Sequence, residues 1–249
     1  MFDDDQFFDD FISNRGKMLQ LIFRTLNPEN SFSVIHMGFA IAFKYVCPKA
    51  YSRIAEIVEH HEIIDCLFEH LMNQVDTSFS KDALRCLSRI VEFGAETTMF
   101  KLIENGFLDS FQKVLDRSNL DSALEMIAAL MTTSHIICAA AFQKEIGTKE
   151  IIAACYHQST KTVNDGVELL LKICRKLPDP LLTEFMTSGA GFALKDAFLT
   201  IRTEAETSNV PKLNSFAVLF EDTRLQKMAP ILGLSELINH KFTFFENKG

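Results

Sequence analysis

Apolar residues recur along this chain at helical spacing, and the spacing itself repeats. Within 80–134, Ala83, Leu84, Leu87 and Ile90 stand at i, i+1, i+4 and i+7, which puts them on one face of an α-helix. A short helix is predicted from Thr98 to Glu104, stopped at Asn105-Gly106, a pair suited to a left-handed helix end. A third runs from Phe107 to Leu115, with Leu108, Phe111, Val114 and Leu115 in register. Ala123, Leu124, Ile127 and Leu130 then restate the opening pattern 40 residues after Ala83.

The same pattern extends in both directions. A helix from Arg15 to Leu26 ends at Asn27-Pro28, where proline blocks continuation. In 33–75, Phe39, Ala42 and Tyr45 match Leu84, Leu87 and Ile90, 45 positions later. Ile63-Ile64-Asp65 and Leu67 match Phe107-Leu108-Asp109 and Phe111, 44 positions later. A third repeat covers about 120–160 and a fourth about 163–206. The helix of the fourth spans Asp165 to Leu177 and stops before Pro178, and Gly189-Ala190-Gly191 precedes a helix over Phe192–Arg202. Gly106, Gly147 and Gly189 serve as the period marker, each ending one helix so the next can turn back. Three helices per period predict an all-α, armadillo-like right-handed solenoid of about four repeats with helical caps. The expected organisation is a single domain over 1–249, with an N-terminal cap in 1–32, repeats in 33–206 and a C-terminal cap in 207–249. Residues 203–212 are expected to form a loop, and a last helix runs from Thr223 to about Asn239, kinked at Pro230.

Composition narrows the function classes. A hydrophobic content of 47% with ten Gly and six Pro fits ordered, helix-rich structure. The net charge of -8 is a poor start for binding a phosphate backbone, so nucleic acid is not an expected partner. The six cysteines lie far apart with no CxxC pair, and Cys66, Cys86, Cys155 and Cys174 fall in apolar helical stripes. Buried free thiols in a reducing compartment follow. The N-terminus, MFDDDQFFDD, is acidic where a signal peptide is basic, and no apolar run reaches membrane-spanning length. The expected location is the cytoplasm, with the nucleus open. Residues 1–12 read as a cap helix or an acidic-aromatic docking segment.

Candidate chemistry is sparse. His60, His61, Asp65, Glu69 and His70 make the most metal-like cluster, with His61 and Asp65 at i,i+4. Asp65 stands where a zinc-protease motif needs its second histidine, so the cluster reads as a solvated helix-helix corner. Gly189-Ala190-Gly191 follows no strand and is no dinucleotide fingerprint. Neither Cys138 nor Cys155 has the histidine-plus-acid context of a nucleophile. The reading is a non-enzyme with no cofactor or metal, whose partners are proteins.

The groove lined by the last helix of each repeat is the candidate interface. Peptide-binding armadillo proteins carry a Trp and an Asn there, where this chain has Arg85 and Arg89, then Glu125 and Ala129, then Glu168 and Lys172. That composition argues against a nuclear-import-type peptide ladder and leaves contact with a folded partner through charge pairs and flat apolar area. The expected protein-binding residues are Arg85, Arg89, Glu125, Glu168, Lys172 and Arg175, while Leu87, Ile127 and Leu170 point into the core.

Four stretches also resemble a known family. Phe11 to Phe23 (FISNRGKMLQLIF), Ile57 to Leu71 (IVEHHEIIDCLFEHL), Asp82 to Leu130, and Thr223-Arg224-Leu225 are similar, in that order, to segments of the SAPS family. Its members are regulatory subunits of protein phosphatase 6. The resemblance implies a scaffold that holds a serine/threonine phosphatase catalytic subunit. The alternative is an armadillo-like adaptor for another complex, such as an assembly or cytoskeletal scaffold.

Overall fold

The computed structural model describes residues 15–46, 51–72, 77–205, 223–228 and 230, and these are all-α. The readings made for 1–12, Cys47 and most of 206–249 lie outside the described residues. The chain divides into two compact units, Met1–Ser118 and Asn119–Gly249.

In the first unit the helices are α1 (Arg15–Leu26), α2 (Phe32–Tyr45), α3 (Tyr51–Glu59), α4 (His61–Met72), α5 (Thr77–Phe93), α6 (Glu96–Glu104) and α7 (Phe107–Leu115). The period expected from sequence appears as a packing rule: each helix meets the helix three further on. Thus α1 lies on α4 and α4 on α7, α2 lies on α5, and α3 lies on α6. The hairpins α1–α2 and α4–α5 pack most closely. Polar bonds repeat the rule, since Lys101 Nζ on α6 lies 2.9 Å from Glu59 Oε1 on α3. Asn105 Nδ2 also donates to the Val58 carbonyl at 3.0 Å, tying the ends of the same two helices. The Lys101 ammonium holds the Glu59 carboxyl below its usual range.

The stripes predicted for the core are buried: Phe39, Ala42, Tyr45, Leu87, Ile90, Leu108 and Phe111 are at most 3% exposed. His70 departs from the expectation of a solvated corner. It is buried, donates from Nε2 to the Leu26 carbonyl at 2.6 Å, and meets the rings of Phe39 and Phe79 edge-on. A buried imidazole needs such a partner, because an unmatched polar group there costs about 1–3 kcal/mol. The Leu26 carbonyl closes α1 and has no intrahelical donor, so each group satisfies the other. His61 and Glu62 remain exposed, 3.7 Å apart.

In the second unit the helices are α8 (Leu120–Met131), α9 (His135–Gln143), α10 (Thr148–Cys155), α11 (Thr160–Lys176), α12 (Asp179–Thr187), α13 (Gly189–Ala205) and α14 (Thr223–Met228). Here α8 packs on α11, α10 on α13, and α10–α11 and α12–α13 are the close hairpins. The same three-helix rule therefore governs both units, and the fold is armadillo-like. Ile127 and Leu170 are fully buried, as the pattern predicted.

Three expectations need correction. The helix expected from Asp165 starts at Thr160, because the Ser159 side chain accepts from the Thr162 amide and caps it. Residues 203–205, expected in a loop, extend α13. The glycines are not alike: Gly106 (φ 88°) and Gly147 (φ 77°) are left-handed N-caps of α7 and α10, but Gly189 is no positive-φ residue and opens α13 from within. Ser188 precedes that helix in extended conformation, and its hydroxyl accepts from the Ala190 amide at 3.3 Å. A side-chain cap thus does there what left-handed glycine does at the other two corners. Gly191 allows close approach, since a Cβ would lie 1.9 Å from the Met186 carbonyl oxygen.

Candidate functional site

The long helices α8 and α11 lie side by side in the second unit, and the groove between them is the candidate site. Both start from side-chain caps. Asn119 Oδ1 accepts from the Ser122 amide at 2.9 Å, and Ser159 Oγ from the Thr162 amide at 3.5 Å. Each helix turns one apolar stripe inward, with Ala123, Ile127 and Leu130 on α8 and Leu170, Ile173 and Cys174 on α11. That leaves a polar stripe of each on the opposite face.

Between these stripes lies a groove of about 370 Å³. It is lined by Asp121, Ser122, Leu124, Glu125 and Ala128 of α8 and by Lys161, Asp165, Glu168, Leu169 and Lys172 of α11. Leu124 and Leu169 are buried and supply an apolar floor. The walls carry four carboxylates against two ammonium groups. One of those ammonium groups is engaged, for Lys172 Nζ lies 2.8 Å from Glu168 Oε1 one turn earlier on α11. The groove therefore presents a net negative, half-apolar surface. Such a surface suits a partner's cationic side chains, whose alkyl stems cover the floor while their charges meet the walls.

Of the residues expected from sequence, Glu125, Glu168 and Lys172 come together in this groove. Arg175 is exposed on α11 outside it, and its carbonyl accepts from Arg224 Nη2 at 3.3 Å. Arg85 and Arg89 belong to α5 in the first unit, where both guanidinium groups lie over the ring of Phe43 on α2. Sequence reasoning missed Asp121, Asp165 and Lys161, whose relevance depends on α8 standing beside α11. It also missed Phe43. The i,i+4 relations of Asp121 to Glu125 and of Asp165 to Leu169 were visible signals for the two aspartates.

Among the described residues no group of three or more His, Cys, Asp or Glu side chains is arranged to hold a metal ion. The described cysteines, Cys66, Cys86, Cys138, Cys155 and Cys174, are buried and unbridged. Burial pushes the thiols of Cys86, Cys138 and Cys155 up to about 12. No described helix is long and apolar enough to cross a membrane.

No known protein family's profile matches the sequence, and no curated protein matches it. Among solved structures the chain is similar to an engineered protein, at 16% identity over 88% of this chain and 95% of that one, with a TM-score of 0.49. A designed armadillo repeat protein in complex with the peptide (KR)4 is similar at 14% identity over 87% and 98%, with a TM-score of 0.49. Computationally designed armadillo repeat proteins for modular peptide recognition are similar at 14% identity over 86% and 98%, with a TM-score of 0.47.

Proposed function

We propose that this chain is a non-catalytic protein-interaction scaffold, and that the α8–α11 groove takes a basic segment of a partner protein. The observation that supports this reading is the meeting of Glu125, Glu168, Asp121 and Asp165 over the Leu124–Leu169 floor. Four carboxylates on adjacent helices repel one another modestly in water, and a cationic partner relieves that repulsion while covering apolar surface. Arg175 lies exposed at the C-terminal end of α11, outside the groove. Titrating a fluorescein-labelled Lys/Arg-rich peptide into the protein tests the groove: binding that weakens with added salt and in Glu125→Gln/Glu168→Gln supports it. Unchanged affinity in that variant contradicts it.

A phosphatase catalytic subunit is the partner implied by the SAPS resemblance, and that resemblance alone supports it. Affinity capture with mass spectrometry decides this finer reading. A serine/threonine phosphatase catalytic chain among the leading partners supports it, and a partner set without one leaves the adaptor reading.

A further inference from the structure

Arg85 and Arg89 sit one turn apart on α5 with their guanidinium carbons 4.7 Å and 3.6 Å from the centroid of the same ring, Phe43 on α2. Two like charges on one helix face a turn apart ordinarily repel and spread into solvent. Here the ring's negative face draws both in, which fixes their long side chains and lowers the entropy lost when they bind something. Arg85 Nη1 lies 3.6 Å from a carboxylate oxygen of Asp82, an ion pair beyond hydrogen-bond length. A guanidinium resting on an aromatic ring spends its π face and keeps its in-plane N–H fork for an oxyanion. In a chain of net charge -8, this is a preorganised, locally positive point at which, among the described residues, only the Asp82 ion pair faces the two guanidinium groups.

We infer that Arg85, Arg89 and Phe43 form a second recognition site, which takes the carboxylates of an acidic segment of a partner protein. The occupant follows from charge complementarity. Two planar forks a helical turn apart match carboxylates presented along an acidic stretch, and the half-buried Phe43 gives the partner's aliphatic stems a surface to lie on. This site is independent of the α8–α11 groove, which selects the opposite charge.

The test titrates the full chain against a fluorescein-labelled Glu-Asp-Gly repeat peptide, read by anisotropy, with a Gln-Asn-Gly peptide as control. The acidic peptide is expected to bind and the neutral one not. Arg85→Gln/Arg89→Gln is expected to weaken binding roughly tenfold or more. Arg85→Lys/Arg89→Lys keeps the charge but loses the fork and the stacking, and is expected to weaken it about threefold or more. Helicity by circular dichroism should stay unchanged in both variants. Equal binding by the Gln variant overturns the site, and full binding by the Lys variant reduces it to nonspecific charge and overturns the stacked-fork inference. A phosphoserine peptide that binds where the acidic peptide does not overturns it in favour of phosphate recognition. Glu125→Gln/Glu168→Gln, in the other unit, should leave acidic-peptide binding intact, so failure here and failure of the groove are separately visible.

Discussion

Lys172 Nζ lies 2.8 Å from Glu168 Oε1, one helical turn back on α11, at the wall of the groove. An exposed pair at this spacing stabilises a helix by only about 0.3–0.5 kcal/mol, so its main effect is on the groove's charge. Lys172→Met therefore releases a carboxylate and should tighten basic-peptide binding several-fold, with a melting temperature almost unchanged. Peptide titration and a thermal melt on the same samples check both halves. Weaker binding in this variant would mean that the ammonium itself contacts the ligand.

The buried stripes carry the stability. Leu87 and Leu170 are fully buried on α5 and α11. Truncation of either to Ala should cost about 2–5 kcal/mol, the range for a buried leucine that leaves a cavity. Urea unfolding followed by circular dichroism measures it. A loss below about 0.5 kcal/mol at either position would show that its stripe does not face a packed core.

The helix corners separate two kinds of glycine. At Gly147, with φ 77°, an added Cβ would stand 3.0 Å from Ile127 Cδ1 and 3.1 Å from Met131 Sδ. Gly189 lies within α13 with its nearest side-chain atom at 3.4 Å. Gly147→Ala should thus destabilise by about 1–3 kcal/mol through backbone strain and crowding. Gly189→Ala should change stability by no more than about 0.5 kcal/mol in either direction. Equal effects in a thermal melt would make the two corners equivalent after all.

Alkaline pH acts on the buried thiols. Cys86, Cys138 and Cys155 have folded-state values pushed up to about 12 by burial, while an unfolded thiol ionises near about 8.5. Between those values the unfolded chain has released protons that the folded chain still holds, so stability falls as pH rises. The contribution is fully present below about pH 8 and is lost progressively from about pH 9 to pH 12, by at most about 1.4 kcal/mol per pH unit for each thiol. Urea midpoints measured from pH 7 to pH 11 should fall, and Cys86→Ala should flatten the fall. At neutral pH these thiols should resist a thiol reagent until denaturant is added. Rapid native labelling of Cys86 would place it outside the core.

Much of the repeat was legible in the chain, for a physical reason. Apolar spacing directly reports which face is buried, so Phe107–Leu115 and the inward Leu87, Ile127 and Leu170 could be read from it. Helix starts were less legible, because Ser159 begins α11 through a capping bond rather than an apolar residue. Gly189 misled because glycine's freedom is needed only where the backbone turns left-handed, and composition does not say where that is. The groove was half visible. Glu125, Glu168 and Lys172 follow from their own helices, but Asp121 and Asp165 join them only when α8 is set beside α11. Phe43 under Arg85 and Arg89 is likewise a relation between helices, which no periodicity along one segment encodes.

The most direct test of the central claim is the affinity of a labelled Lys/Arg-rich peptide for Glu125→Lys/Glu168→Lys, measured beside the unaltered protein at two salt concentrations. Both side chains are exposed, so the fold should survive, and circular dichroism on the same samples verifies that. The account predicts salt-sensitive binding to the unaltered protein and a loss of at least about a hundredfold in the variant, as attraction becomes repulsion. The same affinity in both proteins would contradict it.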